Sequence, residues 1–457
     1  MTKRTFSQAL RRGLGSAIVT LKNVENKAAY RDILLRCCLR DISYDWQSEG
    51  TRGYYLYEAL LTSREPEYYE EAIIEKFFSR CSDGLFYQLS AILYRFAYDG
   101  SEDATKALRS KYDYFASKQG RLRDIPYMHE GEQWDDVVCQ LMYLDGFSAF
   151  KRYAEDVGRI LLRDPGNEVI YGGWFEIRAR DTFGEKRITA FFERNYERSA
   201  AVRALADTLK ARIESEESAN ARDRQENLTV GDLRQIAAQS VASGCPRPRE
   251  ILRHRRAFFL NASDSKVLDL ADAISHEEEE SIKGLLLAMF WDRSFPLDIS
   301  LLMDYAQSEN ELLASSAIDC LKRIRNRKLH DLAFQLLKRK GLSSFALALL
   351  KKNYNKADDT LIAELIGKLT VIPHHVQMDI GNIYTCHRSA DALPILLRVY
   401  QKGDCAFCRH YIVKAMHHCG VLPDTILEEC LYDSYDETRD FVKRLIKRHS
   451  SHSGATT

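Results

Sequence analysis

The chain contains few glycines and prolines, the residues that most often form tight turns and end strands. Its 457 residues include only 23 glycines and 9 prolines, together about 7% against an average near 12%. The formal net charge is zero, from 66 basic and 66 acidic residues, so overall charge does not favour nucleic acid or an anionic membrane. The longest apolar run is about eight residues, 284–291, and ~20 are needed to span a bilayer. The composition therefore favours long helices without a membrane span.

The N-terminus lacks the apolar segment of a secretory signal. Basic residues precede the first acidic residue, Glu25, which leaves a mitochondrial transit peptide as an alternative. Phe6, Leu10 and Leu14 recur at helical spacing and favour an ordinary amphipathic helix instead. The eleven cysteines form no short-spaced framework, so we expect reduced thiols and a cytoplasmic location.

The strongest signal is an internal repeat in the second half. Segments start near residues 265, 298, 328, 358, 390 and 423, and each contains two short helices separated by a polar turn. Core-type residues in the second helices fall at equivalent positions, three and four residues apart, and so share one helix face. One helix pair cannot bury that face alone, but stacked pairs can share a continuous core. The sequence therefore predicts an all-α fold, an α-solenoid of stacked antiparallel helix pairs.

Residues 391–400 resemble the first helix of a HEAT repeat, including its internal proline. Asp404 followed by Arg409 resembles the Asp/Arg signature of the second helix, although Ala314 takes the Arg position in its own repeat. The resemblance to the HEAT-like, armadillo-type helical family covers mainly residues 265–449. It implies a right-handed superhelix that presents an extended surface to another macromolecule, as a scaffold or adaptor does.

Four regions follow from these patterns. We predict a divergent N-terminal helical-repeat region at 1–215 and a polar, then small-residue-rich junction at 216–248. The C-terminal HEAT-like repeats occupy 249–449, and a disordered tail occupies 450–457.

Three segments place aromatic residues beside charges without clear helical periodicity. They cover 45–55, 126–136 and 171–180, and we interpret them as loops at one edge of the array, where solenoids often bind partners. Trp, Tyr and Arg are enriched in binding hot spots, so we expect these loops to contact a protein partner. The candidate partner-binding residues are Trp46, Arg52, Tyr55, Trp134, Trp174 and Arg178.

A basic cluster after the junction supports an alternative function. Most other basic residues lie in the last turn of a predicted helix, where they complement the helix dipole. This cluster begins in a predicted loop and is suited to phosphate contacts. The alternative is a nucleic-acid-binding solenoid, including the DNA-glycosylase type found among HEAT-like proteins. The candidate residues are Arg247, Arg249, Arg253, Arg255 and Arg256.

The sequence favours a non-catalytic role without metal or cofactor. It contains no phosphate-binding glycine loop, zinc-protease motif or nucleophile elbow, although Asp45 and Asp135 leave an enzymatic role open. The Cys/His-rich stretch 386–419 invites a zinc interpretation. However, Cys408 and Cys419 lie eleven residues apart, about 16 Å along a helix axis, which one zinc ion cannot bridge.

Overall fold

The computed structural model describes residues 1–118, 129–165, 174–225, 228–244, 246–260, 262–338 and 343–453. Within these ranges the chain forms 27 α-helices, two short 3-10 helices at Lys27–Tyr30 and Ala390–Ala392, and no β-strand. The α-helices in chain order are α1 Lys3–Arg12, α2 Gly15–Asn23, α3 Arg31–Cys38, α4 Trp46–Glu49, α5 Gly53–Ser63, α6 Pro66–Phe78, α7 Asp83–Tyr98, α8 Glu102–Lys118, α9 His129–Asp145, α10 Phe147–Arg163, α11 Trp174–Phe183, α12 Glu185–Asn195, α13 Ala200–Gln225, α14 Val230–Ala242, α15 Pro248–Leu260, α16 Asp264–His276, α17 Glu280–Ala288, α18 Ile299–Tyr305, α19 Glu311–Leu321, α20 Arg327–Leu337, α21 Ser343–Asn353, α22 Asp358–Lys368, α23 His374–His387, α24 Leu393–Lys402, α25 Ala406–His418, α26 Asp424–Cys430 and α27 Asp436–Ser453.

The predicted all-α, solenoid-type fold is confirmed. The six helix pairs from α16 to α27 begin within one residue of the predicted segment starts, counting the 3-10 turn that leads into α24. Helices pack on their neighbours, with α17, α19, α21 and α23 forming consecutive contacts in one layer. The right-handed superhelix remains a prediction. Among the described helices, none combines the length and apolar content needed to cross a membrane.

The chain divides into two compact units. The first contains residues 1–214, 404–407 and 423–457, and the second contains 215–403 and 408–422. The predicted regions follow the repeat pattern along the chain, whereas these units follow spatial packing, and the boundary at Glu214 lies inside α13. The predicted tail 450–457 begins within α27, which ends at Ser453; the last four residues lie outside the described part.

Helix α7 is central to the first unit. The Ser82 hydroxyl caps its start by accepting a hydrogen bond from the backbone N–H of Leu85. Leu89, Ile92 and Leu93 are fully buried on its inner side. On either side, α7 packs against α5 and α9 in one layer and against α6 and α8 in the other. Packing against these four helices holds α7 in place and so fixes the orientation of its remaining face.

The two chain ends meet inside the first unit, where α2 packs on α26. The backbone N–H of Ser434 donates to the Gly13 carbonyl at 2.9 Å, and Gly13 adopts a left-handed conformation with φ +69°. A Cβ atom on Gly15 would lie 1.7 Å from the carbonyl oxygen of Glu429. The close approach of these two backbones therefore requires glycine at position 15.

We expect Gly15→Ala to destabilise the first unit, because its methyl group would overlap the backbone at Glu429. The free energy of unfolding should fall by about 1–3 kcal/mol, the usual range for overpacking, in urea denaturation followed by circular dichroism. Gly367→Ala is the matched control: its Cβ would have no atom within 4 Å, and alanine favours the helix interior. Equal stability of the two variants would contradict the close packing at Gly15.

Candidate binding site in the first compact unit

Six aromatic residues lie together on α4, α5, α7 and α9, and we call this set the tyrosine surface. Tyr94 is at its centre, with ring centroids 6.2 Å from Tyr54, 6.0 Å from Tyr98 and 5.8 Å from Tyr143. Tyr98 is 63% exposed and Tyr143 46% exposed, so large aromatic area faces solvent. The complete set is Trp46, Tyr54, Tyr87, Tyr94, Tyr98 and Tyr143.

The tyrosine surface follows from helical spacing on α7. Tyr87, Tyr94 and Tyr98 are seven and four residues apart, which places them on one face of the helix. Trp46 of α4 is 45% exposed and lies 5.3 Å from the ring of Tyr87. The apolar residues of α7 occupy the opposite face and form the core, so the three tyrosines are not part of it.

A cavity of about 560 Å³ lies beside the tyrosine surface. Tyr54, Tyr94 and Tyr143 line one part of it, and residues 431–443 line another. The wall carries charges of both signs: Arg439 forms an ion pair with Asp436 and donates from Nη1 to the Asp433 carbonyl at 2.6 Å. Exposed rings beside charges of mixed sign are suited to a protein surface rather than to a polyanion.

Two carboxylates lie beneath this surface on α9: Asp135 is buried and Asp136 is half-buried. Burial raises the pKa of Asp136 to about 7, and its Oδ2 atom has no hydrogen-bond partner among the described residues. Burial also raises the pKa of Asp135 to about 7, although the Tyr153 hydroxyl donates to its Oδ1 and opposes that shift. Burial, with the nearby Asp136 carboxylate, raises the pKa of Tyr54, so its hydroxyl remains a donor at neutral pH.

A buried ion pair follows directly after Trp46. The Glu49 side chain is fully buried and Arg52 is 2% exposed. Arg52 Nη2 donates to both Glu49 carboxylate oxygens, at 3.0 and 3.1 Å, and to the Asp404 carbonyl at 2.8 Å. The backbone N–H of Ala406 donates to Glu49 Oε2 at 2.7 Å. The pair thus ties the start of α5 to residues 404–406.

Three predicted partner-binding residues are buried. Arg52 belongs to the ion pair, and Tyr55 is 3% exposed, with its hydroxyl donating to the Leu14 carbonyl at 2.8 Å. Trp134 is fully buried and packs against Tyr153, with ring centroids 4.7 Å apart. These three residues therefore lie beneath the tyrosine surface and support it. Among the predicted residues whose side chains are described, Trp46 is the exposed aromatic residue.

The remaining two predicted residues lie on α11. Arg178 is exposed, and its charge opposes the effect of burial on the Asp136 carboxyl pKa. Trp174 is the first residue of α11, but its side chain lies outside the described part. Trp134 and Trp174 belong to helices rather than to the loops expected from the sequence. The five tyrosines of the tyrosine surface are absent from the predicted set, although the helical spacing of the three on α7, Tyr87, Tyr94 and Tyr98, is visible in the sequence.

The predicted nucleic-acid residues lie at α15, in the second unit. Arg249, Arg253 and Arg256 are exposed at spacings of four and three residues, and so share a face of the helix. Arg255 is engaged elsewhere: its Nε donates to the Met289 carbonyl at 3.0 Å, and it forms an ion pair with Asp292. Arg247, just before the helix, is also exposed. Nucleic-acid binding by this set stays a prediction.

The Cys/His-rich stretch contains one close thiol–imidazole contact within the second unit. Cys408 Sγ lies 3.1 Å from His374 Nδ1, and His374 is outside the stretch considered in the sequence. Cysteine and histidine are both zinc ligands, but a structural zinc site uses four. The expectation of no metal stays a prediction.

Comparison with known proteins provides no family. Neither a protein-family model nor a curated protein matches this chain. The HEAT resemblance therefore depends on the repeat pattern and its signature residues, and it stays a prediction.

Arg52→Ala should destabilise the protein strongly, because it leaves the Glu49 carboxylate buried without its cation. Breaking a buried pair in this way lowers the free energy of unfolding by about 3–5 kcal/mol, measurable by urea denaturation. Arg36→Ala, at an exposed arginine, is the control and should change stability by less than about 0.5 kcal/mol. Similar stabilities of the two variants would contradict a structural role for the pair.

The Asp136 pKa predicts a pH-dependent stability. Its folded pKa of about 7 exceeds the ordinary value of 3.8, so the folded state binds more protons between these values. The contribution of Asp136 to the free energy of unfolding therefore falls as pH rises from about 4 to 7. Each pKa unit of difference between the folded and unfolded states is worth about 1.4 kcal/mol. Asp136→Asn should therefore reduce the loss of stability between pH 4 and 7. At pH 8 this variant should be more stable than wild type by about 1–3 kcal/mol.

The measurement is urea denaturation at a series of pH values. Asp181→Asn, which removes an exposed carboxylate on α11, is the matched control. A pH profile that is equally steep in wild type and Asp136→Asn would show that Asp136 ionises normally.

Proposed function

We propose that this chain is a non-catalytic, HEAT-like helical-repeat adaptor that binds a protein partner through the tyrosine surface. The observation that carries the proposal is the exposure of large aromatic rings on α7 and α9, which pack against each other, with Tyr98 63% and Tyr143 46% exposed. Burying such rings contributes strongly to association, and tyrosine and tryptophan are enriched among hot-spot residues.

The contacts among the rings support the proposal. Tyr94 packs against three other tyrosines within 6.2 Å, which restricts their rotamers before a partner arrives. A side chain that is already ordered loses less conformational entropy on binding. The adjacent cavity of about 560 Å³ provides space for a side chain of the partner beside the exposed rings.

The charges around the surface support a protein partner over nucleic acid. A phosphate backbone is bound by an excess of basic residues, whereas this cavity includes Glu58, Asp433 and Asp436 in its lining. Mixed charge at the rim of an aromatic patch favours specificity between proteins.

We propose a cytoplasmic location for the adaptor. Ten cysteines in the described part of the chain are free thiols, and six of them are buried: Cys37, Cys38, Cys320, Cys405, Cys408 and Cys430. Free thiols are typical of a reducing compartment.

Replacing Tyr98 and Tyr143 together by alanine should abolish partner binding without unfolding the protein. We expect wild type to retain one stoichiometric partner in affinity purification from its own cells, and the double variant to lose at least nine tenths of it. The reason is the loss of exposed ring area at both edges of the surface. Quantitative mass spectrometry of the retained protein provides the measurement.

The control is Tyr68→Ala with Phe78→Ala, which removes two aromatic residues on α6 that are 45% and 46% exposed. This variant should retain the partner. Equal retention by both double variants would reject the tyrosine surface. Recovery of nucleic acid in place of a protein, lost on changing Arg249, Arg253 and Arg256 to Glu, would favour the alternative function.

A further inference from the structure

A second cavity in the first unit has a different chemistry from the tyrosine surface. Its volume is about 490 Å³, within the range of small-molecule sites. The ends of α1 and α3 and the segment 40–44 line it. Its wall contains five arginines: Arg11, Arg12, Arg36, Arg40 and Arg52.

Two of these arginines are neutralised by the protein. Arg12 Nε donates to Asp404 Oδ1 at 2.8 Å, and Arg52 pairs with the buried Glu49. They form an ordered part of the wall, and their charges are balanced locally.

The other arginines leave an excess of positive charge. Arg36 and Arg40 are exposed at the cavity and form no ion pair with any acidic side chain in the described part of the chain. The remaining acid of the lining is Asp41, whose Oδ1 accepts from the Ser43 N–H at 3.1 Å. Its Oδ2 is 2.0 Å from where a Cβ of Gly84 would lie, so the carboxylate packs against the start of α7. A concave wall with uncompensated charge of one sign focuses its potential on the cavity.

Helix dipoles explain only part of this arrangement. Arg11 and Arg12 lie in the last turn of α1, and Arg36 in the last turn of α3, where cations are favourable. That effect does not explain Arg40, which follows α3, or Arg52, which precedes α5. In addition, Arg52 Nε is buried without a hydrogen-bond partner among the described residues. A buried donor without a hydrogen bond costs free energy. Because Arg52 lines the cavity, an anion bound there would lie next to this arginine.

We propose that this cavity binds a small ligand with at least two phosphate groups. Guanidinium groups match phosphate oxygens in a bidentate arrangement, and Arg36 and Arg40 are available to form it. Ile42 and Tyr44 also line the cavity and give it an apolar part against which an organic group can pack. The inference goes beyond the proposed adaptor function and shares no residue with the tyrosine surface.

Isothermal titration calorimetry of the full chain with pyrophosphate and with ATP, at 150 mM salt, tests the proposal. We expect saturable binding of one equivalent, at least tenfold weaker in the Arg36→Gln, Arg40→Gln double variant. Tighter binding of ATP than of pyrophosphate would support a nucleotide as the ligand, and equal binding would support recognition through the phosphates alone. Both results support a phosphate site.

The control is Arg194→Gln with Arg198→Gln, which removes the same charge from exposed positions at and just after the end of α12 and should bind as wild type does. Three results would overturn the proposal: no binding to wild type at 1 mM pyrophosphate, an equal loss in both double variants, or citrate binding as tightly as pyrophosphate. None of these depends on whether a protein partner binds the tyrosine surface.

Discussion

The first compact unit depends on the buried ion pair between Glu49 and Arg52. Transfer of both charges from water is unfavourable unless further hydrogen bonds compensate, and backbone groups of Asp404 and Ala406 provide them. The pair thereby fixes the turn between α4 and α5. Trp46 on the tyrosine surface lies three residues before Glu49, and Arg52 itself lines the arginine-rich cavity. Both candidate sites are therefore built on one electrostatic contact.

The C-terminal helix pair completes this unit rather than simply ending the repeat array. Residues 423–457 belong to the same compact unit as residues 1–214, because α26 packs on α2 and the backbone of Ser434 bonds to Gly13. Residues 431–443 then supply part of the wall of the cavity beside the tyrosine surface. Because this cavity has walls from both chain ends, it forms only when the whole unit is folded. Mutations at position 15 and in α26 can therefore alter it without touching a ligand.

The sequence predicts local structure better than it predicts burial. The helix pairs of the second half were predictable because each repeats an apolar stripe that only stacking can bury. The burial of Trp134 was also visible, since Trp134, Val137, Val138 and Leu141 follow helical core spacing. The burial of Arg52 was not visible: its partner Asp404 lies about 350 residues away in the sequence, and no local pattern indicates that contact. The arginine cavity likewise combines separate segments, 8–12, 36–44, 52 and 404.

The two candidate sites use different physics and respond differently to solution conditions. The binding proposed for the tyrosine surface depends on ring area and preorganised contacts, which salt affects little. The binding proposed for the arginine cavity depends on charge, and at physiological ionic strength interactions are screened over about 8 Å, so only a ligand that enters the cavity benefits fully. Burial raises the pKa of Tyr54 and of Tyr94 above the ordinary tyrosine value, so these two hydroxyls carry no charge at neutral pH. The partner proposed for the tyrosine surface and the anion proposed for the arginine cavity would contact separate residues, because the two cavities share no lining residue.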